Sequence, residues 1–310
     1  MPEYRAVRRQ MGFLELCKRP DVAAEVTVTA VDVLGVDAAI IFADILLVLE
    51  PLGARLEFTT GDGPVIHNPV RSAADVDRLT PVAAGALDYV GDAVRLARAG
   101  LKVPLIGFAG APFTLASYLI EGGGSRNFLR TKRFMMADAS AWHALMARLV
   151  VAVGDYLNMQ IAAGADAVQL FDSWVGALAP SDYRSFVLPH VRALNGGLTP
   201  GVPVIHFGTD TAGLLECQRA AGGDVIGLDW RVDLDAAWAR LGHDVAVQGN
   251  LDPMALFAPL PTLRRQVETI LGQAAGRAGH IFNLGHGILP ETPVDHAKAL
   301  VDMVHELSAR

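Results

Sequence analysis

Seven short apolar runs recur along the chain, and they predict its architecture. Each run is rich in Val, Ile, Leu or Phe and closes near a Gly, Asp, Asn or Ser. Several runs are continuous rather than alternating, which is typical of parallel strands that are buried on both faces. The runs cover residues 38–44, 103–110, 166–173, 202–209, 224–230, 244–252 and 279–287.

Helical stretches lie between most of these runs. The longest covers residues 134–164, and the last opens with Thr292 as a predicted N-cap and Pro293 at the first helical position. Strands that alternate with helices indicate a parallel sheet. Because seven strands are visible and the chain lacks a dinucleotide fingerprint, we predict an α/β fold, a (β/α)8 TIM barrel, with residues 1–310 in a single domain.

Two local features modify this picture. The strand count is one short of the eight in a complete barrel. Residues 54–70 also interrupt the alternation, and they predict a hairpin of two short strands around Gly61, Asp62 and Gly63.

Composition and charge narrow the functional classes. Of the 310 residues, 52% are hydrophobic and 19% are charged, as in a compact globular protein, and the net charge of −7 argues against nucleic acid as a partner. Cys17 and Cys217 have no partner at a metal-ligand or C-x-x-C spacing, so we predict neither a disulfide framework nor a metal site. No secretory signal is visible, and no uncharged apolar run reaches the roughly 20 residues of a membrane span. We therefore expect a cytoplasmic protein that does not bind membranes.

Polar residues at the ends of the predicted strands are the first candidates for chemistry, because barrel enzymes place their active sites there. The candidates are Asp44, Ser173 with Asp172, His206, Asp229, Asn250 with Asp252, and His286. We interpret Asp229, Asn250 and Asp252 as turn and helix-cap residues. His206 fits either a core histidine or a site residue, and the glycines around His286 favour a functional role.

Asp44 lies inside the apolar stretch DAAIIFADILLVLEP, residues 37–51. One interpretation is a helix N-cap, because a second apolar segment follows directly. The other is a lone carboxylate that projects into an apolar mouth, where a cation or a polarised N–H group would feel it strongly.

Three further features leave alternatives open. Arg5, Arg8 and Arg9 form either a solvated basic patch or a carboxylate-recognition segment, for which guanidinium geometry is well suited. Tyr118 fits core packing and ligand contact equally. The glycine triplet at residues 122–124 follows an apparent helix, so we predict a helix stop rather than a phosphate-binding loop.

Six segments, taken together, resemble the uroporphyrinogen decarboxylase family of the tetrapyrrole pathway. They are MPEYRAVR, DAAIIFADIL, GFAGAPFTLASYLIEGGGS, VQLFDSWVGALAP, QGNLDP and FNLGHGILPETP, and they span nearly the whole chain. The resemblance implies a distorted (β/α)8 barrel, a homodimer, and a carboxy-lyase without metal or organic cofactor. Such an enzyme removes CO2 from the four acetate side chains of the tetrapyrrole uroporphyrinogen III, giving coproporphyrinogen III in heme biosynthesis.

The resemblance also implies roles for individual residues. Asp44 matches the aspartate that faces the pyrrole N–H groups, and Tyr118 matches the tyrosine near the reacting acetate. His286 matches a histidine that contacts a substrate carboxylate. The complete set of implied substrate-binding residues is Arg5, Arg8, Asp44, Tyr118, Phe171, Ser173 and His286.

The sequence departs from the family pattern at its start. The family motif is approximately Arg-Gln-Ala-Gly-Arg-Tyr-Met-Pro-Glu-Tyr-Arg, and Met1 coincides with the Met inside it. We expect a longer natural protein, whose preceding segment supplies the eighth strand and further arginines. The alternative is a variant with weakened function. For the 310-residue form we predict weak or no activity.

Two other functions compete with this one. Zinc-dependent corrinoid or thiol methyltransferases share the fold but need His-x-Cys and a later Cys. Here Gly208 occupies the place of the first Cys, and Cys217 alone cannot complete a site of about three protein ligands. The second competitor is a non-catalytic tetrapyrrole-binding barrel.

Overall fold

One parallel sheet of seven strands organises the computed structural model, which describes residues 1–59 and 63–309. All seven predicted strands are present, and each pairs in parallel with the next one along the chain. They are β1 (Ala39–Ile40), β4 (Leu105–Gly110), β5 (Ala167–Asp172), β6 (Val204–Gly208), β7 (Val225–Gly227), β8 (Ala246–Leu251) and β9 (His280–Leu284); a hairpin supplies β2 (Leu56–Thr59) and β3 (Gly63–Ile66).

The sheet curls into an open half-barrel. Strands β1 and β9 form its two edges, and within the described residues each pairs on one side only. Ile40 on β1 and Ile281 on β9 are exposed, as expected at edges that no neighbouring strand covers. The predicted seven strands thus account for the sheet as described, and its gap lies between the first and last of them.

Fourteen α-helices surround the sheet in the described part of the chain. They are α1 (Pro2–Arg8), α2 (Phe13–Cys17), α3 (Pro20–Leu34), α4 (Ala73–Asp77), α5 (Asp88–Gly100), α6 (Pro112–Glu121), α7 (Leu129–Ala137), α8 (Ala139–Ala162), α9 (Pro180–Phe186), α10 (Leu188–Gly196), α11 (Leu215–Ala221), α12 (Leu234–Leu241), α13 (Leu260–Ala274) and α14 (Val294–Ser308). Short 3-10 helices cover Leu47–Leu49, Val175–Ala177 and Pro253–Phe257.

The prediction of one long helix over residues 134–164 was wrong. Asp138 separates α7 from α8, and the helical path bends by 113° between them. The Asp138 side chain accepts a hydrogen bond from the Ala141 N–H at 3.0 Å and thereby caps α8. The preceding helix α7 ends before this residue, at Ala137. Within residues 1–59 and 63–309, no single helix is both long and apolar enough to cross a membrane; α7 and α8 meet that test only as a bent pair.

The predicted start of the last helix was also displaced, by one residue. Pro293, not Thr292, is the N-cap of α14, and its carbonyl accepts from the Ala297 N–H. The N–H groups at the start of a helix have no carbonyl partner within the helix, and proline has no N–H. Proline is therefore as suitable at the N-cap as in the first turn.

The hairpin is confirmed as an antiparallel pair of β2 with β3. Gly61 and Asp62 of the predicted turn lie outside the described residues. The hairpin packs against the end of α6, where Val65 forms a bridge with Gly123. Gly122 ends α6 in the left-handed region at φ +86°, and its N–H donates to the Tyr118 carbonyl at 2.9 Å, which confirms the predicted helix stop.

Two clusters of buried side chains hold the helices against the sheet. The larger one joins the strands up to β6 to the helices around them, and Trp142 lies fully buried within it. The smaller one joins β7 and β8 to α12 and α13 around Trp238. Burial of one such large apolar side chain contributes roughly 2–3 kcal/mol. This packing fixes the strand ends, from which the candidate site is built.

Candidate active site

A cavity of about 440 Å³ opens between α3 and the carboxyl ends of β1, β4 and β5. Its walls are mostly apolar, with Phe42, Phe108 and Phe171 among them, and the polar exceptions are Thr27, Asp44 and Ser173. Such a lining with few polar groups is typical of small-molecule sites. Three predicted site residues, Asp44, Phe171 and Ser173, therefore meet in one cavity.

Thr27 on α3 sets the path of the chain that leads to Asp44. Its hydroxyl donates to the Ala23 carbonyl at 2.8 Å and accepts from the Phe42 N–H at 2.9 Å. The Ile41 N–H donates to the Ile106 carbonyl of β4 at 3.0 Å. The chain after β1 is thus held on both sides just before Asp44.

Asp44 is not the helix N-cap that one interpretation predicted, because Leu46 is the N-cap of the 3-10 helix Leu47–Leu49 and no side chain caps it. The Asp44 Oδ1 accepts from the Leu46 N–H at 2.8 Å, a contact within the turn that leads into this helix. The same side chain also lines the cavity. Burial raises the pKa of Asp44 from 3.8 to about 6, and the hydrogen bond from Leu46 opposes part of that rise.

An aromatic wall runs from the cavity to His286. The ring centroids of Phe108 and Phe171 lie 5.4 Å apart, those of Phe171 and Phe207 5.9 Å, and those of Phe207 and His286 6.5 Å. His286 is exposed in the segment after β9 and also lies 6.3 Å from the Trp230 ring. It therefore flanks the cavity rather than lining it.

Tyr118 stands on the other flank, on α6. Its ring stacks on Trp174 with a centroid distance of 3.8 Å and an interplanar angle of 28°. Burial, and to a smaller extent the charge of Asp44, raise the pKa of Tyr118 to about 12, so its hydroxyl keeps its proton at neutral pH. A second cavity of about 260 Å³ is lined by Trp174 and Phe128, and Ser173 lines both cavities.

None of the three N-terminal arginines, Arg5, Arg8 and Arg9, lines the main cavity. Arg5 donates to the Pro290 carbonyl at 3.1 Å and ties α1 to the segment after β9. Arg8 donates to the Met11 carbonyl at 2.7 Å and lies 5.5 Å from the Phe13 ring. Phe13 in turn packs against Phe42 of the cavity wall, so two aromatic rings connect Arg8 to the cavity.

Of the three strand-end residues that we interpreted as turns and caps, Asp229 and Asp252 have such contacts. Asp229 accepts from the Arg231 N–H, two residues on, at 3.0 Å. The interpretation was wrong for Asn250, which lies within β8 and whose side-chain amide donates to the Asp229 carbonyl at 2.9 Å. Asp252 accepts from the N–H of the residue two positions on, at 2.9 Å.

His206 is fully buried in β6, and neither ring nitrogen has a hydrogen-bond partner among the described residues. Sequence reasoning did not single out Phe42, Phe108 or Trp174. The only available signal for Trp174 was its place at a strand end, directly after Ser173.

Comparison with known proteins decides the family. The family model described as uroporphyrinogen decarboxylase (URO-D) matches residues 1–307. The chain belongs to this family. Proteins named uroporphyrinogen decarboxylase from Sorangium cellulosum and Solibacter usitatus are 58% and 54% identical to it over 311 and 310 residues. Each alignment covers 99% of this chain, and 89% and 90% of those proteins.

Solved structures support the fold alone. A methyltransferase from Methanosarcina mazei superposes with a TM-score of 0.77 at 18% identity, covering 94% of this chain and 87% of that one. A B12-independent methionine synthase from Shewanella sp. W3-18-1 gives 0.58 at 11% identity, covering 93% and 87%. These matches confirm the prediction of an α/β fold of the TIM-barrel type. The sequence relatives do not favour the methyltransferase alternative.

Proposed function

We propose that this chain is a carboxy-lyase that removes CO2 from the four acetate side chains of uroporphyrinogen III and gives coproporphyrinogen III. The membership of the family supports decarboxylation in porphyrin biosynthesis. The structural observation that carries the proposal is the Asp44 carboxylate in an apolar cavity at the strand ends, where it can accept hydrogen bonds from pyrrole N–H groups.

The reaction needs a place for the electron pair that the departing CO2 leaves behind. Protonation of the ring carbon next to the acetate-bearing carbon makes the pyrrole cationic, so the ring itself accepts that pair. CO2 leaves, the exocyclic alkene is protonated to a methyl group, and the ring carbon returns its added proton. Each acetate carboxylate thus consumes one proton and yields one methyl group and one CO2, without an external electron sink. We therefore propose a reaction without metal or organic cofactor.

Asp44 is the residue that we assign to stabilise the cationic ring. A fixed carboxylate in an apolar cavity costs no reorganisation when positive charge develops, and one preorganised group of this kind contributes roughly 3–4 kcal/mol. The turn that holds Asp44 is itself fixed by the Leu46 N–H, which keeps the carboxylate directed at the cavity.

The remaining predicted residues surround this centre. We propose that Tyr118, protonated because of its raised pKa, donates a hydrogen bond near the reacting acetate. Phe171 and Ser173 would contact the macrocycle from the cavity wall, and His286 a peripheral carboxylate. Arg5 and Arg8 would move from their neutral carbonyl partners to the substrate carboxylates, because a guanidinium binds a charged carboxylate, often through two hydrogen bonds, more strongly than a single carbonyl.

We further propose that residues 1–310 form one domain, supported by a sheet that runs from residue 39 to residue 284. The family resemblance also supports a homodimer located in the cytoplasm. Light scattering on the purified protein tests the dimer, and a mass of 32.9 kDa, that of one chain, would contradict it.

The product profile from uroporphyrinogen III tests the function. It should be measured with the 310-residue chain and with a form extended at its N terminus by Arg-Gln-Ala-Gly-Arg-Tyr, which restores the family motif up to Met1 (the extended form). We expect coproporphyrinogen III and CO2 from the extended form, and weak or no turnover from the 310-residue chain. Tight porphyrinogen binding with no CO2 release from both forms would support the non-catalytic alternative.

A further inference from the structure

A buried carboxyl group that the proposed reaction does not use lies directly beside the candidate site. Asp172 is the last residue of β5 and has no exposed surface. Its Oδ1 accepts a hydrogen bond from the Thr114 hydroxyl at 2.9 Å, and its Oδ2 has no partner among the described residues. A buried carboxyl group with a single partner is costly. Because this costly group lies beside the candidate site, we expect Asp172 to have a role other than packing.

Thr114 joins that carboxyl group to the residue on the far side of Ser173. It is fully buried in the first turn of α6, and its Oγ1 also accepts from the Trp174 N–H at 3.3 Å. One hydroxyl therefore contacts Asp172 and Trp174 at once. The turn that presents Ser173 to both cavities is held against α6 by this contact.

A second contact between α6 and the same turn involves Tyr118. It lies four residues after Thr114, so both side chains are on one face of the helix. The Tyr118 ring stacks on Trp174 at 3.8 Å, and Phe128 packs against Trp174 at 5.1 Å. The helix and the turn are thus joined twice, through a buried hydroxyl and through a ring stack.

We propose that Asp172 and Thr114 are positioning residues, which hold the turn at Trp174 so that its ring fixes the ring of Tyr118 beside the candidate site. Neither residue lines the described cavities, so both act through Trp174. The consequence for turnover rests on the proposed decarboxylation, whereas the consequence for the ring stack does not. A displacement of about 1 Å in a reacting group can cost roughly 100-fold in rate.

The ring stack can be measured directly on the ligand-free 310-residue chain. The near-ultraviolet circular dichroism that Trp174 contributes while it stacks on Tyr118 (the pair signal) is the difference between the parent chain and Trp174→Phe. We expect Thr114→Val to lose most of this difference signal and Thr114→Ser, which keeps the hydroxyl, to retain it. Thr114→Ala serves the same purpose if Val does not fit the site. A Thr114→Val or Thr114→Ala protein with the full signal would overturn the proposal.

Thr131 provides a matched control. It is also fully buried, and its hydroxyl donates to a carboxylate oxygen, that of Glu121, at the same distance of 2.9 Å. Thr131→Val therefore removes a threonine–carboxylate hydrogen bond of the same length, part-buried rather than fully buried, and leaves the contact of Thr114 with Trp174 in place. We expect it to lower the free energy of unfolding and to leave the pair signal unchanged.

Turnover separates positioning from general destabilisation. In the more active of the two forms, we expect Thr114→Val to lower kcat by roughly 10–100-fold, with Thr114→Ser restoring most of it. In a Tyr118→Phe background, Thr114→Val should change kcat by less than about 2-fold, because the hydroxyl that it positions is already absent. Losses that multiply instead would overturn the proposal. If neither form turns over uroporphyrinogen III, the proposed function fails, while the ring-stack measurement still decides the positioning role.

Discussion

Replacing Asp44 with Asn should stabilise the ligand-free protein at neutral pH. Burial raises the pKa of Asp44 from 3.8 to about 6, so the folded chain holds this proton more tightly than the unfolded chain does. Stability therefore falls as the pH rises from about 4 to about 6, where the unfolded chain has lost the proton and the folded chain still binds it. Above about pH 6 this loss of stability has reached its full size and no longer changes with pH. Asn cannot ionise, so the Asp44→Asn protein does not suffer the loss.

The pKa shift sets the size of the effect. A rise of about 2 units corresponds to roughly 3 kcal/mol, the stabilisation expected of Asp44→Asn near pH 8. Near pH 5 the Asp44 carboxyl group is still mostly protonated in the folded chain. The expected stabilisation by Asp44→Asn is therefore smaller there, about 1.5 kcal/mol. The difference between the two pH values does not depend on any constant change in packing that the amide introduces.

Urea unfolding of both proteins near pH 5 and near pH 8 measures this difference. Asp252→Asn is the matched control, because the Asp252 Oδ1 also accepts from the N–H two residues on, at 2.9 Å against 2.8 Å for Asp44. We expect a change below about 0.5 kcal/mol for Asp252→Asn at both pH values. Equal stabilisation by Asp44→Asn at the two pH values, or none at all, would refute the reasoning from burial.

Three other predictions concern activity and stability. The kcat/KM of an active form should rise with pH through a limb near 6 as Asp44 ionises, and a pH–rate profile of Asp44→Asn that keeps this limb would assign it to another group. Gly122→Ala should cost roughly 1–2 kcal/mol in urea unfolding because of its φ of +86°, whereas Gly124→Ala, with open space at its Cβ, should be near neutral; equal losses would contradict this. Asp138→Ala should cost about 1 kcal/mol through loss of the α8 cap, and Asp138→Asn should recover most of it.

The sheet was predictable because its strands are buried on both faces and therefore appear as continuous apolar runs. The break at Asp138 was not, because a single Asp between two apolar helical segments has the same pattern as an exposed helical position. The displaced cap at Pro293 has a similar origin, since proline suits the N-cap and the first turn alike.

The candidate site also has features that the sequence could predict and features that it could not. Asp44 and Ser173 could be placed together from sequence, because parallel strands bring their carboxyl ends to one edge, whereas Phe171 was implied only by the family resemblance. The contact of Thr114 with Asp172 spans 58 residues and needs the packing of α6 on β5, which no local pattern encodes. The hydrogen bond from Arg5 to the Pro290 carbonyl likewise joins residues that are 285 positions apart in the sequence.

The most direct test of the proposed function is the turnover of uroporphyrinogen III by the extended form with Asp44 intact and with Asp44→Asn. Removal of the charge that stabilises the cationic pyrrole should lower kcat by roughly 100–1,000-fold, while the protein remains folded and, near neutral pH, more stable than the parent. Formation of coproporphyrinogen III by Asp44→Asn at close to the parent rate would contradict the role of Asp44 in the reaction.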